Sequence, residues 1–120
     1  MKRLRLGAGI LNQTPLDWEG NTGRIIDAIR MAKEKGVHVL CLPELCITGY
    51  GCEDMFLAPH VWRTSWHMLQ RIVPETDGMI VSVGLPLFDQ WCLQRRVCDV
   101  AWTDCRVRGE AASRRRWSPL

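Results

Sequence analysis

Val37-His38-Val39-Leu40-Cys41-Leu42-Pro43-Glu44 is the stretch on which the reading of this chain turns. The run is short, apolar apart from His38, and closed by a proline, which cannot donate to a sheet ladder. A near-continuous apolar run of this length fits a parallel strand covered on both faces. His38 in such a strand reads as a satisfied core imidazole and Cys41 as a buried free thiol. Glu44 follows at once. It therefore stands just past the C-terminal end of a buried strand, the edge of an open α/β sheet where ligands and reactive groups gather.

Upstream, Leu4 to Asn12 reads as another strand, partly alternating at its start and ended by Pro15. Gly7 and Gly9 lack the third glycine and the following helix of a phosphate-binding loop. Asn21 is a plausible N-cap for a helix in which Ile25, Ile26, Ala28, Ile29 and Ala32 recur at helical spacing. Lys33 and Lys35 suit the negative end of that helix, and Gly36 suits the position after it. Downstream, Pro59 to Val73 carries a rough apolar stripe of Val61, Trp62, Trp66, Leu69, Ile72 and Val73, with Pro59 in the first turn and Pro74 as the stop. Met79 to Pro86 is a third apolar strand. The order is β-α-β-α-β, an α/β class with parallel strands and right-handed crossovers.

At 120 residues, 47% of them apolar, the chain is one domain at most. No apolar run approaches a membrane span. The basic start, Met1-Lys2-Arg3-Leu4-Arg5, lacks the apolar segment of a signal peptide. The six cysteines include no Cys-x-x-Cys pair of the kind that holds zinc, so the reading expects no metal. Buried thiols in a reducing cytoplasm account better for Cys41 and Cys46. His60 and His67, with no partner acid pattern, read as solvated helix residues.

The continuation past Glu44 carries a resemblance. Leu42-Pro43-Glu44 is similar to the first catalytic motif of the nitrilase, or carbon–nitrogen hydrolase, superfamily. Ile47-Thr48-Gly49-Tyr50, followed by Glu53-Asp54, resembles the glutaminase domain of the glutamine-dependent NAD+ synthetase family. The resemblance implies the opening β-α-β-α-β portion of a four-layer α-β-β-α sandwich, incomplete in this chain. It implies Glu44 as general base for a cysteine nucleophile, with a lysine for the oxyanion, because a thiol must become a thiolate and the developing charge needs a fixed positive group. Tyr50 could then line the glutamine pocket. Asp54 reads more simply as a helix cap. By the same resemblance the substrate is glutamine, and the released ammonia serves an ATP-dependent amidation of deamido-NAD. ATP and magnesium belong to a synthetase domain that the chain lacks, and the part present takes no cofactor. The family forms homo-oligomers, whereas this piece is expected not to assemble specifically. No membrane partner is expected, and the location implied is cytoplasmic. A free-standing nitrilase-like amidase is the alternative.

The resemblance runs from about Leu4 to Gln90, so residues 1–90 read as the partial hydrolase domain and residues 91–120 as a separate tail. The first part carries nine Lys and Arg against ten Asp and Glu, the second seven Arg against three acids and no Lys. No lysine follows Lys35, and Cys92, Cys98 and Cys105 stand in no matching motif. Cys46 and Cys52 lie too near Glu44 to match the family nucleophile. Reading the tail's codons one base later forces glycine at Trp102-Thr103 and at Trp117-Ser118. It also forces Lys or Arg at Glu110-Ala111, and permits strings similar to the family's next strand and lysine motif. The tail is therefore expected to be out of frame and unstructured, and the product cut short and inactive. A basic arm binding nucleic acid through arginines and stacked tryptophans is the competing reading, and it is disfavoured because the arm begins inside a recognisable motif.

Overall fold

The computed structural model describes residues 3–86 and the backbone of residues 101–104. The order is β1 (Leu6–Ala8), α1 (Trp18–Glu34), β2 (Val39–Cys41), a 3-10 turn at Glu53–Leu57, α2 (Pro59–Ile72), a second 3-10 turn at Val73–Thr76, β3 (Ile80–Val83) and β4 (Ala101–Asp104). The sheet order is β1-β2-β3-β4. Leu6 pairs with Val39 and Val39 with Ile80, all parallel. β4 pairs antiparallel to β3, Asp104 against Ile80. The β-α-β-α-β reading holds, with strands shorter at each end than the apolar runs.

β4 falls within the tail, where the sequence reading expects no structure. β4 occupies the edge of β3 that β2 leaves open, and an extended segment can pair at such an edge through its main chain whatever its side chains. The rest of 91–120 lies outside the described residues.

Helix α1 starts earlier than its apolar periodicity suggests. Asp17 is the N-cap, its carboxylate accepting from the Gly20 N–H at 3.1 Å. Asn21, expected at the cap, instead lies in the first turn and is fully buried. At the other end Gly36 takes φ +66°. Its N–H bonds the Lys33 carbonyl at 2.9 Å, and the Val37 N–H bonds the Ala32 carbonyl at 3.0 Å. That pair of bonds is the Schellman motif, which places a glycine where the chain must turn left-handed. Helix α2 has Pro59 in its first turn and buries Val61, Ser65, Met68, Leu69 and Ile72. Trp62 and Trp66 are only half-buried, and Val73 is exposed in the 3-10 turn that follows. The Ser65 hydroxyl is satisfied by the Val61 carbonyl at 2.7 Å, which lets a polar residue sit in the stripe.

Both helices lie on one face of the sheet. Ile25 and Ile29 of α1, Leu69 and Ile72 of α2, and Leu40, Val81 and Val83 of the strands form one buried cluster. Strand alternation sends Leu6, Val39, Cys41 and Ile80 to the opposite face. There Leu6 is 71% and Ile80 41% exposed, and Cys41 is exposed. The expectation that the second strand is covered on both sides, with Cys41 buried, is thus corrected: among the described residues only one helix layer packs on the sheet. His38 is likewise not a core group. It is exposed, precedes β2, and its Nδ1 accepts from the Arg5 N–H at 3.0 Å.

Candidate active site

The chain leaves β2 at Cys41 and passes Leu42-Pro43 into a turn spanning residues 44–48. This places Glu44 at the C-terminal edge of the parallel sheet. The residue is exposed and makes a polar interaction of its own. Beneath it runs the end of β3. The Leu42 N–H bonds the Ser82 carbonyl at 3.0 Å, and the Ile47 N–H bonds the Gly84 carbonyl at 3.3 Å. Gly84 is buried directly against the Glu44 main chain. A Cβ at that position would overlap the Glu44 carbonyl and stand 2.7 Å from its Cα.

After the turn, Gly49 and Gly51 take φ +78° and +79°, and Glu53 takes φ +46°. Two left-handed glycines flanking Tyr50 bend the chain back on itself. Gly49 also packs on residue 14, where a Cβ would come within 2.8 Å of the Thr14 carbonyl oxygen. Tyr50 is 53% exposed at this edge. Asp54 is not a cap. It lies inside the 3-10 turn, whose N-cap is Cys52 and which has no side-chain capping bond.

The two loop cysteines point inward. The Cys46 thiol is fully buried, donates to the Gly84 carbonyl at 3.7 Å, and is pushed up to about 11 by burial. Cys52 is buried against the Thr48 and Gly49 carbonyls, at 3.5 and 3.4 Å, and burial also raises its pKa. Neither environment favours a thiolate. Among the described residues no cluster of His, Cys, Asp and Glu is arranged to hold a metal. Among them, too, no helix is long and apolar enough to cross a membrane. A groove of about 460 Å³ lies elsewhere, between Gly7–Asn12 and the flank of α1 at Asp27, Met31 and Lys35.

Parallel strands in β-α-β-α-β order with a Pro-Glu turn at their carboxyl edge define an α/β domain of the open-sheet class, and the comparisons with known proteins say which. The carbon-nitrogen hydrolase family matches residues 5–105, and the chain belongs to that family. The match extends beyond Gln90 and includes β4. Among relatives, the glutamine-dependent NAD(+) synthetase of Saccharomyces cerevisiae is 48% identical over 79 residues, covering 64% of this chain and 11% of the relative. The crystal structure of a glutamine-dependent NAD(+) synthetase from Cytophaga hutchinsonii superposes with a TM-score of 0.71 at 48% identity, over 72% of this chain and 15% of the other. An amidase from Nesterenkonia sp. shares the fold at a TM-score of 0.60 and 24% identity, over 70% of this chain and 32% of that one. The chain thus spans about a tenth of the length of the curated relative it matches.

Proposed function

We propose that this chain carries the opening part of a glutamine amidohydrolase unit of the kind found in NAD(+) synthetases, with Glu44 as its general base and Tyr50 at the glutamine pocket. The observation that carries the reading is the position of Glu44, held at the carboxyl edge of β2 by a loop seated on Gly84, in a chain 48% identical to a glutamine-dependent synthetase over the same region. A free-standing amidase remains the weaker reading, because the amidase likeness falls to 24% identity. In the parent reaction, glutamine hydrolysis supplies ammonia for ATP-dependent amidation of deamido-NAD.

The chain as it stands is inactive in this reading. A base alone cannot form a thioester; it needs a thiol to deprotonate and a cation for the oxyanion. The one fully buried loop thiol, Cys46, has its pKa near 11, which leaves about one molecule in ten thousand as thiolate at neutral pH. Lys35 is the last lysine of the sequence. In this reading the tail is one base out of frame for most of its length, although the family match runs on to residue 105, and it is not a nucleic-acid-binding arm.

The test has two arms. The 120-residue chain, incubated with glutamine, releases no ammonia above blank; release that disappears in Glu44→Ala would overturn the claim of inactivity. The same gene, shifted by one base at codon 91, gives a product with glutaminase activity. There Glu44→Ala lowers the rate by about a hundredfold or more, the contribution of a general base. A frame-shifted product without activity, or one that Glu44→Ala leaves unchanged, removes the assignment.

A further inference from the structure

The loop that carries Glu44 is held through its main chain, and three consecutive carbonyls are taken from the α1 side. Gln13 Nε2 donates to the Cys46 carbonyl at 2.6 Å. Asn21 Nδ2 donates to the Ile47 carbonyl at 3.1 Å. The Leu16 N–H donates to the Thr48 carbonyl at 2.8 Å. We propose that Asn21, with Gln13 beside it, is a positioning residue that fixes the Glu44 loop for proton transfer, an inference that rests on the reading of Glu44 as the base.

Asn21 is fully buried and uses its whole hydrogen-bonding capacity. Its amide nitrogen also donates to the Thr14 carbonyl at 2.8 Å. Its oxygen accepts from the Thr14 N–H at 2.9 Å and from Arg24 Nη2 at 2.7 Å. A buried polar network in which every group is satisfied rigidifies what it joins. Arg24 decides which way the amides face. It has donors only, and it reaches the oxygen of Gln13 through Nε at 2.8 Å as well as that of Asn21. With both oxygens turned to the guanidinium, both NH2 groups turn to the loop. Asp17 completes the set, 3.2 Å from Arg24 Nη2, while its other oxygen caps α1.

A purely local role for Asn21 would keep its bonds within its own helix and cap. Instead the side chain reaches 26 residues along the chain to Ile47, and Gln13 reaches 33 to Cys46. On the opposite side the loop rests on Gly84, where no side chain fits. The turn bearing Glu44 is therefore clamped between an amide pair and a glycine. Neither amide is a catalytic residue in this account; both act through the backbone of residues 46–48.

The test uses the full chain and two near-isosteric substitutions, Asn21→Asp and Gln13→Glu, each of which removes NH2 donation to the loop. Hydrogen exchange is followed at the Cys46, Ile47 and Gly49 amides, which bond Pro43, Gly84 and Leu45. It is compared with amides of α2 and β3, and the Glu44 side-chain carboxyl is titrated by carbon-13 NMR. Loss of one such bond raises local opening about tenfold. The expected result is faster exchange of that size confined to the loop, together with a displaced Glu44 titration midpoint. Loop exchange unchanged in both variants, exchange accelerated equally throughout the chain, or a Glu44 titration that does not move overturns the proposal. Gln13, half-buried, supplies the same reading where Asn21→Asp prevents folding. Exchange is read without turnover, so a failed clamp and a failed glutaminase assignment give different results.

Discussion

Gly84 lies against the main chain of Glu44 so closely that no side chain can stand between them. The contact is between the end of β3 and the turn after β2, two segments forty residues apart in sequence. It explains a glycine just after the Ile80-Val81-Ser82-Val83 strand: the position needs space rather than left-handed backbone freedom, because Gly84 is not among the glycines of positive φ.

A paired substitution tests this. Gly84→Ala must move either β3 or the turn, and overpacking against backbone costs about 1–3 kcal/mol or somewhat more. Gly23→Ala is the control. Gly23 is exposed on α1 with nothing within 4 Å of a new Cβ, so alanine there should stabilise the helix by up to about 1 kcal/mol. Denaturant unfolding of the two variants should move in opposite directions from the parent chain. A Gly84→Ala protein as stable as the parent would show that the turn is not seated as described.

The cysteines give a second prediction. Cys41 is exposed on the open sheet face, whereas Cys46 and Cys52 are buried. Under native conditions a thiol reagent should modify Cys41 quickly and the other two only through opening of the loop. Burial raises the Cys46 pKa from 9.0 to about 11. An acid whose folded pKa is raised favours folding while both states stay protonated, and that advantage fades once the unfolded chain ionises first. Stability should thus fall as pH rises from 9.0 towards about 11, at a slope of up to about 1.4 kcal/mol per unit. Cys46→Ala should flatten that slope, and an unchanged alkaline slope in the variant would contradict the burial of this thiol.

Much of the fold was legible in the sequence because it is written in periodicity. Ile25, Ile29 and Ala32 at helical spacing, and the apolar runs at Val39 and Val81, fall where α1, β2 and β3 form. The errors have definite causes. Asn21 looks like a cap because apolar periodicity begins after it, yet α1 opens with Trp18-Glu19-Gly20, which carries no stripe to point back to Asp17. Cys41 and His38 look like core residues because composition records how apolar a strand is, not whether both faces are covered. At the site, the position of Glu44 past the strand end was readable from Pro43, while the Gln13, Asn21 and Gly84 contacts were not. They join residues distant in sequence, and no local spacing announces them.

The ion pairs across the helix layer predict a weak acid response. Arg71 bonds Glu19 and Arg30 bonds Glu75, at 2.6 and 2.9 Å. Each arginine holds its partner carboxyl below the usual glutamate range, first through the hydrogen bond. Their contribution is present above the unfolded carboxyl pKa and is lost as pH falls through the lower, folded one. Because these groups lie at the surface, salt should screen most of the effect. Arg71→Gln should lower the melting temperature slightly at neutral pH and low salt, and the difference should vanish both in acid and in high salt. A difference that persists in acid would mean that Arg71 acts through packing, for example against Met68, rather than through Glu19.

The open face of the sheet leads to the last prediction. Leu6, Val39 and Ile80 are aligned across three adjacent strands, on the side away from α1 and α2. Leu4 is also exposed, at 69%, and continues the apolar character before β1. Side chains in this arrangement form one contiguous patch rather than scattered apolar residues, and such patches drive association. The chain should therefore self-associate as its concentration rises, without a fixed stoichiometry, since nothing in a flat apolar row selects one register. Replacing Leu6 and Ile80 together by threonine keeps β-propensity while removing apolar surface. In sedimentation velocity, the double variant should stay monomeric at concentrations where the parent forms a broad distribution, and its unfolding midpoint should be little changed. A parent chain that remains monomeric at high concentration would show that this face is covered in solution. A variant that associates as strongly as the parent would place the sticky surface elsewhere.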